Sequence, residues 1–217
     1  MPIVFVTGID TGVGKTYASG LLARFLYKQG LSVITQKLAQ TGCTEKSEDI
    51  ELHRKIMGTD FGDDDREGLT CPYVFKFPSS PHLAAKLEKT QIDVDVITKA
   101  TKSLAEKYEY VIIEGVGGIN VPITGGIMVI DYIASTGYPV IIVSSSKLGS
   151  INHTILTIDA LLNRNIDICG IIYNNYPEED VLIADDSREV IKRYLTKNKI
   201  FLPIYSPLLP AAGAPFL

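Results

Sequence analysis

The chain has no run or stripe of lysine and arginine, and its formal net charge is −4. Both features argue against nucleic acid or an anionic membrane as a partner. A small anionic ligand would have to be met by local positive groups, because the overall field does not help it. No CxxC pair or metal-ligand spacing is present; Cys43, Cys71 and Cys169 are scattered and odd in number. Such a set reads as reduced thiols in the cytosol. No apolar run approaches membrane-spanning length. No signal segment is expected before the first strand, since Met1-Pro2 runs straight into Ile3-Val4-Phe5-Val6. Internal repeats and low-complexity tracts are missing too. The length of 217 residues suits one domain, residues 1–217, with one sizeable core.

What is present is an alternation of short apolar runs with longer helical patterns. Strands are predicted at Ile3–Thr7, Leu31–Gln36, Tyr110–Ile113, Val140–Val143 and Ile168–Tyr173. Leu21, Leu22, Phe25 and Leu26 recur at helical spacing, with Gly30 placed to cap that helix. Further helices are predicted at Asp49–Met57, Val94–Tyr108, Ser150–Asn163 and Asp180–Leu195. Strand–helix alternation with strands apolar on both sides predicts an α/β fold. Its form is a three-layer, doubly wound, mostly parallel sheet. Ligands in such folds gather at the carboxyl ends of the strands. The segment 59–81 fits this pattern least, and its Asp63-Asp64-Asp65 run reads as a solvated loop rather than a metal site.

The polar residues of interest follow predicted strand ends. Gly8-Ile9-Asp10-Thr11-Gly12-Val13-Gly14-Lys15-Thr16 lies between a strand and a helix, the context of a phosphate-binding P-loop. Its glycines let backbone N–H groups turn toward phosphates, and the helix N-terminus adds a favourable dipole. Lys15 supplies charge for the β and γ phosphates of ATP, and the Thr16 hydroxyl suits Mg2+. Five residues separate Gly8 from Gly14, one more than in the usual loop. Glu114 ends an apolar strand and precedes Gly115, Gly117 and Gly118, a second place where magnesium is held in such folds.

Lys37 follows the second strand, ahead of Gln40-Thr41-Gly42, and suits a phosphoryl group in flight. A surface lysine fits the same position. Asp49 fits either a metal ligand or a helix-start carboxylate favoured by the dipole. Ser150 can open the helix after Lys147-Leu148-Gly149, whose N-terminus would suit a carboxylate; an ordinary capped helix fits equally. His153 reads as structural, since no nucleophile or metal cluster accompanies it.

Together these strings resemble the dethiobiotin synthetase family of P-loop enzymes. The matching segments are Val6 to Thr16, Ser80-Pro81-His82, Val111 to Gly118, Lys147-Leu148-Gly149-Ser150-Ile151-Asn152-His153 and Gly170 to Asn175. The resemblance runs in order along most of the chain. It implies a cytoplasmic ligase of biotin biosynthesis that converts 7,8-diaminononanoate, CO2 (or bicarbonate) and ATP to dethiobiotin, ADP and phosphate. A carbamate and its mixed carbamic-phosphoric anhydride would be the intermediates. It also implies a homodimer, with neither nucleic acid nor membrane as partner.

Residue by residue, the resemblance makes Lys37, Lys15 and Thr11 catalytic and gives magnesium to Thr16, Asp49 and Glu114. The nucleotide would lie on Gly8, Gly12, Val13, Gly14, Lys15, Thr16 and Tyr17, with Asp49 and with Glu114, Gly115, Val116 and Gly117. Asn174 and Asn175 would meet the adenine, with Ser206, Pro207 and Leu208 near the base. Thr11, Thr41 and the backbone of Gly149, Ser150, Ile151 and Asn152 would hold the substrate. The chain departs from the common family pattern in Leu38-Ala39 after Lys37, in Thr41 where Ser is frequent, and in Gly12 where some members carry an acid. Two other readings are weighed. An amidating ligase of the same superfamily usually adds a glutamine-hydrolysing domain, for which the chain has no room and no elbow cysteine. A partitioning ATPase carries an extra loop lysine where this chain has Asp10.

Overall fold

The computed structural model describes residues 3–176 and 180–206. Along the chain the elements are β1 (Ile3–Gly8), α1 (Lys15–Lys28), β2 (Val33–Lys37), β3 (Gln40–Thr41), α2 (Glu48–Met57), α3 (Asp63–Arg66), β4 (Val74–Phe75), α4 (Pro81–Leu87), α5 (Val94–Lys107), β5 (Tyr110–Gly118), α6 (Val129–Thr136), β6 (Val140–Ser145), α7 (Ser150–Leu162), β7 (Ile168–Asn174), α8 (Val181–Lys197) and β8 (Ile204–Tyr205). The main sheet runs β2-β5-β1-β6-β7-β8, and every pairing in it is parallel. β3 and β4 form a small parallel pair of their own.

The period-two geometry of a strand divides the interior in two. Val4 and Val6 of β1 join Ile112, Ile141 and Val143 on one face, where Ala18, Leu22 and Leu26 of α1 cover them. Phe5 between them joins Val111, Ile113 and Ile142 on the other face. There Ile97 and Leu104 of α5, Ile158 of α7 and Ile191 of α8 complete the core. Both strand faces are therefore buried, which is why the strands read as continuous apolar runs rather than as alternation.

The sheet's parallel direction brings the functional strand ends to one rim. Lys37 is the register partner of Glu114, and Val6 of the same Glu114 on the other side. Gly8 pairs with Val143 and Ser145 with Asn174. Helix α2 is delivered to this rim by a close helix–helix contact. A Cβ at Gly20 of α1 would lie 2.8 Å from Ile56 Cδ1 of α2, so glycine is what lets the two helices approach. Ser47 caps α2 by accepting from Ile50 N at 3.2 Å.

The segment 59–81 corrects the sequence expectation. It is not a solvated loop: it folds into α3, β4 and their connections, and Asp64 and Asp65 are buried. Asp65 pairs with Arg54, and Asp64 meets Lys107 and the Tyr108 hydroxyl. Three adjacent carboxylates carry no pattern that distinguishes solvation from pairing with partners elsewhere in the chain. Helix α7 opens at Ser150 as expected; Gly149, at φ +95°, stands at the cap position, and the Ser150 hydroxyl turns back to the Lys147 carbonyl. Strand β2 begins at Val33 rather than Leu31, and β5 continues past Ile113 to Gly118.

Candidate active site

The loop after β1 curls over the sheet rim and hands the chain to α1. Gly14 sits at φ +94°, and a Cβ there would come within 2.4 Å of Asn174 Nδ2. Only glycine adopts that backbone without strain. Lys15 is buried, and its ammonium donates to the Asp10 carbonyl at 2.9 Å, across the mouth of the loop. Burial pulls its pKa down, the Lys37 charge adds to this, and together they outweigh Glu114 and Asp49, leaving it at about 8.

Four polar side chains from four elements meet beside this loop. Thr16 Oγ1, in the first turn of α1, lies 2.9 Å from Asp49 Oδ1 and 3.0 Å from Glu114 Oε1. Lys37 Nζ, at the end of β2, lies 2.6 Å from Asp49 Oδ2, 2.8 Å from Glu114 Oε1 and 3.1 Å from the Gly115 carbonyl. Lys37 is not a surface lysine: it is 5% exposed, and Glu114 is 1% exposed. Burial alone would push Glu114 up. Lys37 and His53 overcome it and hold the carboxyl at about 2. Burial likewise pulls Lys37 down, but Glu114 and Asp49 win and raise it above the ordinary lysine range.

A hydroxyl in contact with two carboxylates makes a set of hard oxygen donors. That set suits a cation held by one or two carboxylates and otherwise by phosphate and water, which is the usual manner of magnesium. Among the described residues no cluster of three or more His, Cys, Asp or Glu offers an all-protein metal cage. The observed set therefore fits a metal shared with a nucleotide.

A cavity of about 800 Å³ opens over these groups. Thr11, Gly12, Gly14, Lys15, Thr16 and Tyr17 line it from the loop and the start of α1, Lys37 from β2, Thr41 from β3, Asp49 from α2, and Glu114, Val116, Gly117 and Asn174 from the sheet rim. Gln40, Ser79, Ser80 and Pro81 close another side. A second cavity of about 420 Å³ lies across the loop and is lined by Thr11, Gly12, Val13, Lys147, Ser150 and the exposed His153, among others. Thr11 borders both. The start of α7 thus faces the second cavity, not the cluster around Lys37.

Some residues singled out in the sequence stand elsewhere or act differently. Asn174 Nδ2 donates to the Val13 carbonyl at 3.0 Å, bracing the loop from β7. Asn175 is exposed and lines neither cavity, and Ser206, after β8, lines neither. Gly8 lies beneath the loop: a Cβ there would meet Val13 Cγ2 at 2.7 Å. Gly115 presents its carbonyl to Lys37, while Ile151 and Asn152 follow Ser150 in the first turn of α7. Pro207 and Leu208 lie outside the described residues. His53 and Arg54 were not anticipated. Both are buried on α2, and His53 touches Glu114. An Asp followed four residues later by His on one helix, Asp49 and His53, is the signal that would have pointed to it.

Comparison with known proteins agrees with this picture. The profile of the AAA domain family matches residues 3–202. The "ATP-dependent dethiobiotin synthetase BioD 2" of Haemophilus influenzae is 51% identical over 182 residues, covering 84% of this chain and 95% of that protein. Its counterpart in Pasteurella multocida is 49% identical, covering 90% and 92%. "ATP-dependent dethiobiotin synthetase BioD" of Chlorobaculum tepidum is 50% identical, covering 88% and 82%. Among solved structures, a ParA family ATPase from Chlorobium tepidum superposes with a TM-score of 0.53 at 16% identity, covering 94% of this chain and 82% of that one. The MinC:MinD cell division complex of Aquifex aeolicus gives 0.53 at 18%, covering 88% and 78%. These likenesses speak for the P-loop α/β fold alone.

Proposed function

The chain belongs to the ATP-dependent dethiobiotin synthetase family, and from that premise we propose how its residues divide the work. It is an ATP-dependent ligase that forms dethiobiotin. The observation that carries the residue assignment is that Thr16 and Lys37 each lie within 3.0 Å of both the Asp49 and the Glu114 carboxylates, beside the phosphate loop.

One amine of 7,8-diaminononanoate takes up CO2 as a carbamate. A carbamate is a poor electrophile, so its oxygen first attacks the γ-phosphorus of ATP, giving the mixed carbamic-phosphoric anhydride and ADP. The second amine then attacks the carbamoyl carbon, phosphate leaves, and the ring closes with loss of a proton. Negative charge spreads over the phosphoryl oxygens in the transfer, and pre-positioned cations stabilise it most in a desolvated site. Lys15 and Lys37 are those cations, both buried and fixed by carbonyl or carboxylate oxygens before substrate arrives. Magnesium, held by Thr16, Asp49 and Glu114, would supply further charge neutralisation at the phosphates. Thr11 and Thr41, which both line the larger cavity, hold the diamine end, and the backbone at Gly149 to Asn152 holds a carboxylate.

We assign the activity to a single domain, to a homodimer and to the cytoplasm. The dimer would cover apolar residues that α7 and α8 expose, Leu156, Val181 and Leu182 among them. Among the described residues no helix is long and apolar enough to cross a membrane.

Release of ADP tests the proposal directly. It should require both the diamine and bicarbonate, and equal ADP release without the diamine would overturn it. Two finer outcomes are expected. Gly14→Ala should weaken ATP binding about ten- to hundredfold in a calorimetric titration, because the new Cβ strains the φ +94° backbone and displaces the Asn174 brace. Unchanged affinity would contradict that. The second concerns protons. With Lys15 at about 8 in the free protein, part of the population is neutral at pH 8.5. Phosphate favours the charged form, so ATP binding should take up a fraction of a proton there, and affinity should fall as pH rises through 8. Calorimetry at pH 8.5 in buffers of different ionisation heat reads the uptake. Lys15→Arg, which stays charged, should abolish it.

A further inference from the structure

Glu114 is held at both oxygens, and the two have different surroundings. Oε1 accepts from Thr16 and Lys37, at 3.0 and 2.8 Å, and so faces the space assigned to the metal. Oε2 lies 2.8 Å from His53 Nε2 on α2. Since a carboxylate oxygen only accepts, the ring donates through Nε2. The contact is sealed from water: His53 is 0% exposed and Glu114 1%. The other ring nitrogen, Nδ1, has no hydrogen-bond partner among the described residues. Glu114 is thus the ring's one polar attachment there, and a buried polar ring with a single partner is fixed in rotation by it.

We propose that His53 is a positioning residue that locks the rotation of the Glu114 carboxylate, so that Oε1 faces Thr16, Asp49 and Lys37. The proposal rests on the magnesium reading given above and deepens it. Residue 53 lies one helical turn after Asp49, so α2 supplies both a ligand from its first turn and the donor that orients the other carboxylate. Without the donor, Oε2 would be a buried acceptor with no partner. The carboxylate would then rotate to share both oxygens with the Lys37 ammonium. Loss of such outer hydrogen bonds typically costs ten- to a hundredfold in metal affinity.

Binding of Mn2+ to the intact protein in the presence of ADP, followed by the electron paramagnetic resonance of the free ion, tests this without turnover. His53→Leu should weaken Mn2+ binding about ten- to hundredfold while ADP affinity without metal stays within about twofold. His53→Gln, whose amide keeps an N–H donor of similar reach, should return Mn2+ affinity to within about fivefold of the parent. If His53→Leu does not fold, His53→Asn, with its donor too short to reach Glu114, takes its place with the same expected loss. Glu114→Gln separates the two readings. Parent-like Mn2+ affinity in Glu114→Gln overturns the magnesium assignment itself. Loss in Glu114→Gln with parent-like affinity in His53→Leu overturns the role of His53 alone. A Gln variant as weak as the Leu variant overturns the donor explanation.

Discussion

Replacing Lys37 with alanine is expected to lower turnover by roughly a thousandfold while ATP affinity stays within about threefold. The ammonium is buried and held at three oxygens, Asp49 Oδ2, Glu114 Oε1 and the Gly115 carbonyl, at 2.6 to 3.1 Å. Its pKa lies above the ordinary lysine range because the two carboxylates outweigh the burial that opposes them. It therefore stays charged at every working pH. A charge fixed this way would do little for ground-state ATP, which on the proposed assignment the loop, Lys15 and the helix N-terminus hold. Its effect grows as charge spreads over the transferring phosphoryl group, which makes it a transition-state interaction. Loss of such an interaction lowers kcat and kcat/KM together and leaves binding intact. Steady-state kinetics beside a calorimetric ATP titration separates the two. Equal loss of turnover and affinity would show that Lys37 is a binding group and not a catalytic one.

Breaking the Arg54–Asp65 pair should be the largest stability loss that one polar substitution causes. Asp65→Ala is expected to cost about 3–5 kcal/mol, or roughly 10 °C in Tm. Arg54 Nη2 and Nε meet the two Asp65 oxygens at 2.7 and 2.9 Å, and Nη1 donates to Thr35 Oγ1 at 2.8 Å. Thr70 Oγ1 and Gly62 N complete the carboxylate at 2.7 and 2.8 Å. The network ties α2 to β2 and to α3, and so supports the helix that carries Asp49. Removal of the carboxylate leaves a guanidinium that is 4% exposed without its counter-charge. The neighbouring Arg66–Asp63 pair is 64% and 89% exposed, and its loss should change stability by less than about 0.5 kcal/mol.

The same carboxylate sets an acid limit. Burial alone would push Asp65 up, but Arg54, Thr70 and Gly62 overcome it and hold it below the ordinary aspartate range. A depressed folded pKa contributes fully above the unfolded value of about 4 and is lost as pH falls below it. Urea unfolding at pH 7 and pH 3 should therefore show the parent losing stability on acidification, and Asp65→Ala losing less. Equal slopes in both proteins would remove Asp65 from that account.

The parts legible in the sequence are those whose chemistry is local. A strand followed by glycines, lysine and threonine announces a phosphate loop without knowledge of its partners. Glu114 and Lys37 announce themselves by following apolar runs, and the parallel register then sets them side by side. Asp49 was ambiguous from its own surroundings, since a carboxylate in the first turn of a helix needs no further reason. It meets Thr16 across the α1–α2 contact, where Gly20 leaves room for Ile56. His53 is legible only as a helical neighbour of Asp49, and neither its contact with Glu114 nor the pairings of Asp64 and Asp65 are, because each joins groups that only the folded sheet and helices bring together. The short elements α3, β3, β4 and β8 span two to four residues, too few for any periodicity to declare them. Asn174 carries a contact that position alone does not announce: besides the base contact that the resemblance implies for it, its amide braces the Val13 carbonyl.

The most direct measurement is a mass-spectrometric assay of the purified protein with MgATP, 13C-bicarbonate and 7,8-diaminononanoate. Dethiobiotin carrying one labelled carbon should form in step with ADP. ADP formed without dethiobiotin, or dethiobiotin without the label, would contradict the proposed function.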